Sequence, residues 1–322
     1  MMHMFLDVTE NYIQKGLKKM NTYKKIFKNQ ETRLKILKWL SFIPDKIMIS
    51  IQYKIKTGNT LHLKKPTRYT EKLQWYKLNY RRKIMTKCSD KYEVRKYLIE
   101  NGYSQLLNEL YAVYENANDI DFDSLPQSFA MKMTVGSGMN YFVRDKNSEN
   151  IEELRKMVEK WFNSKSNSYG REWCYYDIKP RIIFEKLLPL DENNDLPDYK
   201  FFCFNGEPFC LYTMVDYTAD HEKGRLGFFD TEFNLLPYYR KDFKPLTVQI
   251  DKPKGFERMV EFSRLLSKEF PHVRVDFYNI EGRIIFGELT FYNASGYTVF
   301  EPDEFDFILG EKFELPDITI ER

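Results

Sequence analysis

The fold of this chain is decided by one stretch, residues 274–289, which reads RVDFYNIEGRIIFGEL. Two apolar segments flank a Glu-Gly turn, which predicts a β-hairpin. Side chains alternate between the two faces of a strand, so Arg274 and Asp276 share a face, and the hairpin brings Glu288 close to them. Two carboxylates and a guanidinium on one face of a sheet do not suit a hydrophobic core. They suit a binding site for Mg²⁺ that is bound to a polyphosphate, since Mg²⁺ completes its coordination shell with phosphate and water. The alternative is an amphipathic hairpin with a solvated acidic face.

Four segments upstream of the hairpin carry polar residues that suit a nucleotide site. They are SDK at 89–91, opening a helix that ends at 101–102; the strand FAMKM at 129–133, before the turn TVGSG at 134–138; the buried strand IIFEKLLP at 182–189; and the strand LPDYKFF at 196–202. Each segment alone is weak, because a Gly-Ser-Gly turn is common and a single strand Lys is usually a solvated edge residue. Their combination and order along the chain favour a nucleotide-binding enzyme.

Together these segments resemble the ATP-grasp superfamily, and most closely its branch named after the teichuronopeptide biosynthesis protein TupA. The resemblance runs from residue 66 to residue 300, and its branch-specific stretches are YTEKLQW at 69–75, SDKY at 89–92, KFFCFNG at 200–206 and GELTFY at 287–292. It implies an α+β fold in which two sheet-bearing domains clasp ATP. It also implies a ligase that activates a carboxylate as an acyl phosphate, which an amine or thiol then attacks.

The resemblance also implies which residues contact ATP. They are Lys91, Lys132, Gly136, Ser137, Gly138, Glu185, Lys186, Leu188, Asp198 and Lys200. Lys91 and Lys132 would bind phosphate, Lys91 near a helix start where the dipole favours anions. The glycine-rich turn would let backbone N–H groups approach the β- and γ-phosphates. The hinge at 185–188 would pair its backbone with adenine, and Asp198 would receive the ribose hydroxyls.

Metal, catalytic and substrate roles follow from the same resemblance. The implied Mg²⁺ ligands are Asp276, Glu288 and Thr290, where Thr290 replaces the Asn of many superfamily members. The implied catalytic residues are Arg274, Lys200 and Lys132. Arg274 would stabilise the acyl phosphate and the tetrahedral oxyanion. The candidate substrate residues are His221, Arg225, Asn293 and Ser295. The branch implies a uronic acid or acidic amino acid as carboxylate donor, an amino acid or amino sugar as acceptor, and a place in capsular or other cell-surface polysaccharide synthesis.

Charge is distributed unevenly in this chain. Residues 15–56 hold twelve Lys or Arg against two acidic residues, a local balance of +10, whereas the whole chain is only +3. The sequence therefore predicts a basic helical N-terminal arm, in which residues 34–43 mix apolar and basic side chains before Pro44. Such a segment is too short and too charged to span a bilayer. It either packs on the main domain or contacts the anionic inner leaflet. No recognition module accompanies it, so we expect no nucleic-acid partner.

Four units are predicted along the chain. They are the basic arm at 1–60, a helical layer at 61–120, a lid with the phosphate loop at 121–184, and the main domain with the metal hairpin at 185–322. An apolar stripe predicts a lid helix at 151–162, capped by Ser148 or Asn150. A further helix is expected near 256–269. The four cysteines form no Cys-x-x-Cys pair and no secretory signal is readable, so we expect a reducing cytoplasm.

Two other functions stay open at this point. A glycosyltransferase of surface polysaccharide synthesis would use an Asp-x-Asp metal motif, and Asp119, Asp121 and Asp123 supply that string. These acids fall in a linker-like run, however, with no sugar-nucleotide fold pattern before them. A non-catalytic ATP-binding relative at the membrane is the second alternative.

Overall fold

Helices and strands are interspersed along residues 40–136, 138–164, 170–218 and 223–321, which the computed structural model describes. The helices are α1 (Asp45–Thr57), α2 (Tyr69–Asn79), α3 (Lys83–Ser89), α4 (Glu93–Glu100), α5 (Ile151–Asn163), α6 (Phe256–Ser267) and α7 (Glu304–Lys312). The strands are β1 (Tyr80–Arg81), β2 (Leu110–Tyr114), β3 (Phe129–Met133), β4 (Asn140–Val143), β5 (Ile182–Glu185), β6 (Asp198–Phe204), β7 (Glu207–Val215), β8 (Arg225–Asp230), β9 (Tyr239–Arg240), β10 (Lys244–Pro245), β11 (His272–Ile280), β12 (Arg283–Thr290), β13 (Phe300–Glu301) and β14 (Thr319–Ile320). The mixed α and β content agrees with the predicted fold class.

The predicted hairpin forms one end of a six-stranded sheet with the order β10-β8-β7-β6-β11-β12. Its turn is at Glu281 and Gly282, which both adopt positive φ angles. Helix α6 covers one face of the sheet, where the Phe256 ring lies 5.9 Å from that of Phe201. The hairpin and the helix near residue 256 are thus confirmed.

A second sheet, with the order β2-β5-β3-β4, forms a separate core with α5. Leu154 and Val158 are the buried residues of α5, and the Asn150 side chain accepts a hydrogen bond from the backbone of Glu153, which confirms the predicted helix and cap. The sheet includes β2, so it begins at Leu110, before the predicted lid boundary at residue 121. The sequence did not indicate this, because β2 pairs with β5, which is distant along the chain.

The predicted basic arm falls mostly outside the described residues. Its described part is a short 3₁₀ turn at Leu40–Phe42 and helix α1, which begins directly after Pro44. No helix in the described ranges has the length and apolar content needed to cross a bilayer.

A buried histidine joins α2 to the large sheet. His272 is 0% exposed, and its Nδ1 lies 2.9 Å from the carbonyl oxygen of Cys203. A carbonyl can only accept, so Nδ1 carries the proton and Nε2 accepts from the Tyr69 hydroxyl at 2.9 Å. Burial lowers the pKa of His272 from 6.5 to about 3, so the ring is neutral in the folded protein.

Replacing this histidine should change how stability depends on pH. Between pH 6.5 and pH 3 the unfolded His272 binds a proton that the folded one does not, so the unfolding free energy falls as the pH is lowered. Relative to His272→Phe, wild type should lose stability with a slope approaching about 1.4 kcal/mol per pH unit. Urea unfolding of both proteins across this range measures the difference. Burial raises the pKa of Asp306 to about 6, which acts in the opposite direction but cancels between the two proteins. A difference that does not vary with pH would contradict the assignment.

Candidate functional site

A cleft between the two sheets brings most of the predicted nucleotide and metal residues together. Those that line it are Lys91, Lys132, Gly138, Glu185, Leu188, Asp198, Lys200, Asp276 and Glu288. Apolar side chains share the wall, among them Leu107, Ile183, Ile285 and Phe286. A concave site with apolar walls and a few converging charges is the usual form of a small-molecule site.

The acid pair is built by a β-bulge in the hairpin. Asp276 lies directly opposite Glu288, whereas the next pair is Phe277 with Phe286, so Gly287 is an extra residue in β12. A Cβ atom on Gly287 would lie 3.0 Å from the backbone oxygen of Asp276, a tight contact that requires the neighbouring backbone to shift by a few tenths of an ångström. The bulge places the two carboxylates side by side, and glycine allows the strands to approach closely there.

Arg274 donates hydrogen bonds to both carboxylates of the pair. Its Nε and Nη2 donate to the two oxygens of Asp276 at 2.7 and 2.6 Å, and Nη2 also donates to Glu288 at 2.9 Å. Its Nη1 donates to Asn293 at 2.5 Å and to the Tyr212 hydroxyl at 3.3 Å. Arg274 is only 6% exposed and does not line the cleft. Each of its nitrogens donates to a protein acceptor in this conformation, so its expected role in stabilising reacting oxyanions has no support here and stays a prediction.

The charges around the acids keep at least one of them ionised. Burial raises the pKa of Asp276, and Arg274 and Lys200 oppose that rise. Burial also raises the pKa of Glu288, but the positive charges of Arg274, Lys200 and Lys91 outweigh the effect of burial and lower this pKa to about 2. Glu288 is therefore a carboxylate across the physiological pH range, which is the form that a metal ion requires.

Glu288 fits a magnesium ion that shares its shell with phosphate and water, whereas both oxygens of Asp276 already accept hydrogen bonds from Arg274 and Lys200 in this conformation. Glu288 lines the cleft and its side chain is 44% exposed, and both of its described hydrogen bonds go to Oε1 and not to Oε2. Within the described ranges no group of three or more Asp, Glu, His or Cys side chains is placed to hold a metal ion. Thr290 departs from the prediction, since its hydroxyl donates to Glu288 at 2.8 Å and it does not line the cleft.

Across the cleft, the lid lysine is held by an acid. Lys132 donates to Glu185 at 2.9 Å, and Arg95 donates to the other oxygen of Glu185 at 2.8 Å. Burial disfavours the charge on Lys132, but Glu185 outweighs it and raises the pKa of the lysine. Arg95 lines the cleft and was missed as a site residue, although it follows the SDK segment by one helical turn.

Lys91 and Lys200 face the cleft in different settings. Lys91 donates to the carbonyl oxygen of Gly136 at 2.7 Å, which ties the glycine-rich turn to the start of α4. Its pKa is lowered by burial. Lys200 forms ion pairs with Asp198 and Asp276, the second at 2.9 Å, and these acids raise its pKa in spite of burial. Asp198 is therefore engaged by a lysine in this conformation.

The hinge is only partly available to a ligand. The backbone N–H of Lys186 donates to the carbonyl oxygen of Glu109, and its own carbonyl accepts from Asn108. Its side chain is 48% exposed and pairs with Glu109. The expected contact of Lys186 with adenine is therefore not supported, because both of its backbone groups are already paired. Leu188 does line the cleft.

The candidate substrate residues are not gathered at the cleft. Asn293 is 1% exposed and bound to Arg274, and the carbonyl of Ser295 accepts from α2. Arg225 pairs with Asp216 on an exposed part of β8, away from the hairpin. The side chains of Asn293 and Arg225 thus serve other contacts, and the contact of Ser295 is made by its backbone carbonyl. The substrate role expected of these three residues stays a prediction. His221 and Ser137 lie outside the described residues.

The acidic run that matches an Asp-x-Asp motif forms a local turn. One oxygen of Asp121 accepts hydrogen bonds from the backbone N–H groups of Asp123 and Ser124. This is the usual turn-capping role of Asp. The geometry therefore gives the glycosyltransferase alternative no support.

Comparisons with known proteins point to one family. The family model described as TupA-like ATPgrasp matches residues 71–314. No curated protein gives a significant match.

Among solved structures, D-alanine–D-alanine ligase from Bacillus anthracis complexed with ATP is 17% identical with a TM-score of 0.38, and the match covers 63% of this chain and 53% of that one. The chain thus spans about half the length of that ligase. A RimK domain ATP-grasp protein from Sphaerobacter thermophilus is 10% identical with a TM-score of 0.39, covering 71% of this chain and 69% of that one.

Removing the guanidinium from the acid pair should destabilise the fold strongly. Arg274→Met leaves the buried Asp276 without its main partner, which costs about 3–5 kcal/mol in comparable sites. The double variant Arg274→Met/Asp276→Asn should recover part of that loss, because the uncompensated charge is gone. Urea unfolding measures all of these. Arg225→Met is the matched control, since its partner Asp216 is 50% exposed and the loss should stay below about 1 kcal/mol. Equal losses in the two single variants would contradict the role of Arg274.

Proposed function

The chain belongs to the TupA-like ATP-grasp family, and on that premise we propose that it is an ATP-dependent carboxylate–amine ligase. One observation carries the proposal: the Asp276–Glu288 pair faces Lys91 and Lys132 across a single cleft. A cleft lined by both carboxylates and lysines suits a nucleotide whose phosphates contact a metal ion and lysine side chains.

The lysines would bind and orient the phosphates. Lys91, Lys132 and Lys200 all line the cleft, and each is already directed by a protein acceptor. A side chain held in this way loses little freedom on binding and is preorganised for the charge of the transferring phosphoryl group. Asp276 and Glu288 would hold Mg²⁺, which when bound would neutralise phosphate charge. Arg274 would keep the two carboxylates in place.

The proposed reaction has two steps. An oxygen of the substrate carboxylate attacks the γ-phosphorus in line, and the bond from that phosphorus to ADP breaks, which yields an acyl phosphate and ADP. The nitrogen of an unprotonated amine then attacks the acyl carbon, the phosphate leaves, and the amine proton is released. The products are an amide, ADP and phosphate. The lysines contribute electrostatic stabilisation in both steps.

The finer part of the proposal concerns the substrates. We propose that the amide joins an amino acid, or an amino sugar, to a uronic acid or acidic amino acid during synthesis of capsular or other cell-surface polysaccharide. Family membership supports this part, and the cleft geometry does not distinguish among these acids and amines. The substrates therefore have to be found by assay.

We also propose that residues 15–56 contact the anionic inner leaflet of the cell membrane, so that the protein works at the cytoplasmic face. Ile47, Ile51 and Ile55 form one stripe on α1 and are 53%, 45% and 49% exposed, whereas Met48 and Ile49 on the opposite side are buried. Exposed lysines lie on the same helix, and residues 15–56 carry a balance of +10. Apolar side chains beside basic ones suit an interfacial helix on an anionic bilayer.

The ligase proposal is tested by ADP release from Mg·ATP. The purified protein is assayed with a panel of amino acids, each with and without glucuronic and galacturonic acid derivatives. We expect release only when a carboxylate and an amine are both present, with an amide product of matching mass. ATP binding without release from any pair would favour a non-catalytic relative. An absence of ATP binding would overturn the proposal, and turnover of a nucleotide sugar would favour a glycosyltransferase.

Substitutions in the hairpin provide the controls. Asp276→Asn and Glu288→Gln should each lower ADP release about 100-fold or more, because an amide is a weaker Mg²⁺ ligand than a carboxylate and a bound metal ion contributes several kcal/mol of charge stabilisation. Circular dichroism checks that both variants are folded. Glu281→Gln lies in the turn of the same hairpin, where its side chain is 81% exposed, and should keep wild-type activity. Full activity in either cleft variant would refute the metal assignment.

The membrane proposal is tested by flotation with vesicles. Wild type should float with vesicles that contain phosphatidylserine and not with pure phosphatidylcholine, and added salt should release it. Ile51→Glu should weaken binding about tenfold or more, because burial of one isoleucine contributes about 1.5–3 kcal/mol. Ile99→Glu is the matched control, since this residue of α4 is 57% exposed. Equal flotation of the two variants, or a stable dimer in place of vesicle binding, would contradict the proposal.

A further inference from the structure

The loop that follows β12 has an uncommon backbone conformation. Ala294, Ser295 and Gly296 have φ angles of 46°, 55° and 70°, so three consecutive residues are left-handed. Residues other than glycine rarely adopt this conformation, and each one costs about 1–2 kcal/mol. A strained segment persists only when the surrounding structure holds it in place.

Helix α2 supplies the contacts that hold this loop. Gln74 and Lys77 are both 0% exposed, and each donates to the carbonyl oxygen of Ser295, at 3.0 and 2.9 Å. Gln74 also donates to the carbonyl of Gly296 at 2.7 Å. The ammonium of Lys77 donates to Gly170 at 2.8 Å. A Cβ atom on Gly296 would lie 2.5 Å from the amide nitrogen of Gln74, so helix and loop are in close contact.

The loop begins with the residue that orients Arg274. Asn293 is 1% exposed, and its side-chain oxygen accepts from Nη1 of Arg274 at 2.5 Å. The remaining N–H groups of Arg274 reach Asp276 and Glu288. A continuous chain of hydrogen bonds and backbone therefore connects α2 to the two carboxylates, through the left-handed loop, Asn293 and Arg274.

We propose that Gln74 and Lys77 are positioning residues for the Asp276–Glu288 pair. They hold the loop in its left-handed conformation, the loop directs Asn293 towards Arg274, and Arg274 fixes the spacing of the carboxylates. Neither residue lines the cleft, so neither touches the nucleotide. This inference rests on the proposed function, because the carboxylates are taken to hold the metal ion of a bound nucleotide.

The chain contains a matched control on the same helix. Lys72 also donates to two carbonyl oxygens, those of Gly310 and Phe313, both at 2.8 Å. Its acceptors lie at the end of α7 and have no hydrogen bond to Arg274 in the described part of the chain. A substitution of Lys72 thus removes the same kind of contact without touching the connection to the acid pair.

The test measures how much Mg²⁺ strengthens ADP binding. Calorimetry gives the ADP affinity with Mg²⁺ and with EDTA, and their ratio reports on the carboxylate pair without requiring turnover. Lys77→Met should reduce this ratio about tenfold and leave the affinity in EDTA within about twofold, where tenfold corresponds to about 1.4 kcal/mol. Gln74→Met should act in the same direction, which provides a second variant if the first does not fold. Lys72→Met should keep the wild-type ratio even if its melting temperature falls.

The outcomes separate this inference from the proposed function. If wild-type affinity for ADP does not depend on Mg²⁺, the metal role of the carboxylates is wrong and the proposed function fails with it. If wild type depends on Mg²⁺ and the Lys77 and Gln74 variants keep the full ratio, the positioning role is refuted and the proposed function stands. An equal loss in Lys72→Met would also refute it, because general destabilisation would then explain the effect.

Discussion

The structure depends on how two negative charges are kept adjacent. Asp276 and Glu288 lie directly opposite each other on neighbouring antiparallel strands, an arrangement that destabilises a sheet unless a cation intervenes. Arg274 bridges the two carboxylates with hydrogen bonds of 2.6–2.9 Å. Its planar guanidinium presents several N–H donors and so suits two carboxylates better than a single ammonium group would. Because Arg274 and Asp276 are both buried, the contact between them is shielded from solvent and salt.

The same pairing of opposite charges extends over the whole cleft. Lys132 is held by Glu185, and Lys200 by Asp198 and Asp276. A triphosphate that enters must compete with these carboxylates for the lysines, so binding exchanges one set of charge pairs for another instead of creating new ones. The arrangement also spares the lysines the cost of an unpaired buried charge.

The sequence predicted the parts of the site that depend on local pattern. The alternation of side chains placed Arg274 and Asp276 on one face, and the turn residues paired the strands. It could not predict where the guanidinium would be directed, because that depends on Asn293 and Tyr212, which arrive from other elements. Strand β2 was missed for a related reason, since its partner lies far along the chain. Arg95 carried no signal of its own, because its contact with Glu185 forms only when α4 meets the lid sheet.

The bulge at Gly287 has a consequence for how relatives of this chain are sorted. A homologue in which this glycine has become alanine would still display every acid, lysine and arginine of the site when the sequences are aligned. Its Cβ atom would meet the backbone of Asp276 at 3.0 Å, so the two strands would have to move apart slightly at the point where they pair the carboxylates. Counting charged residues would classify such a protein as an active enzyme. The residue at this position therefore carries information about the spacing of the carboxylates that the charged residues themselves do not.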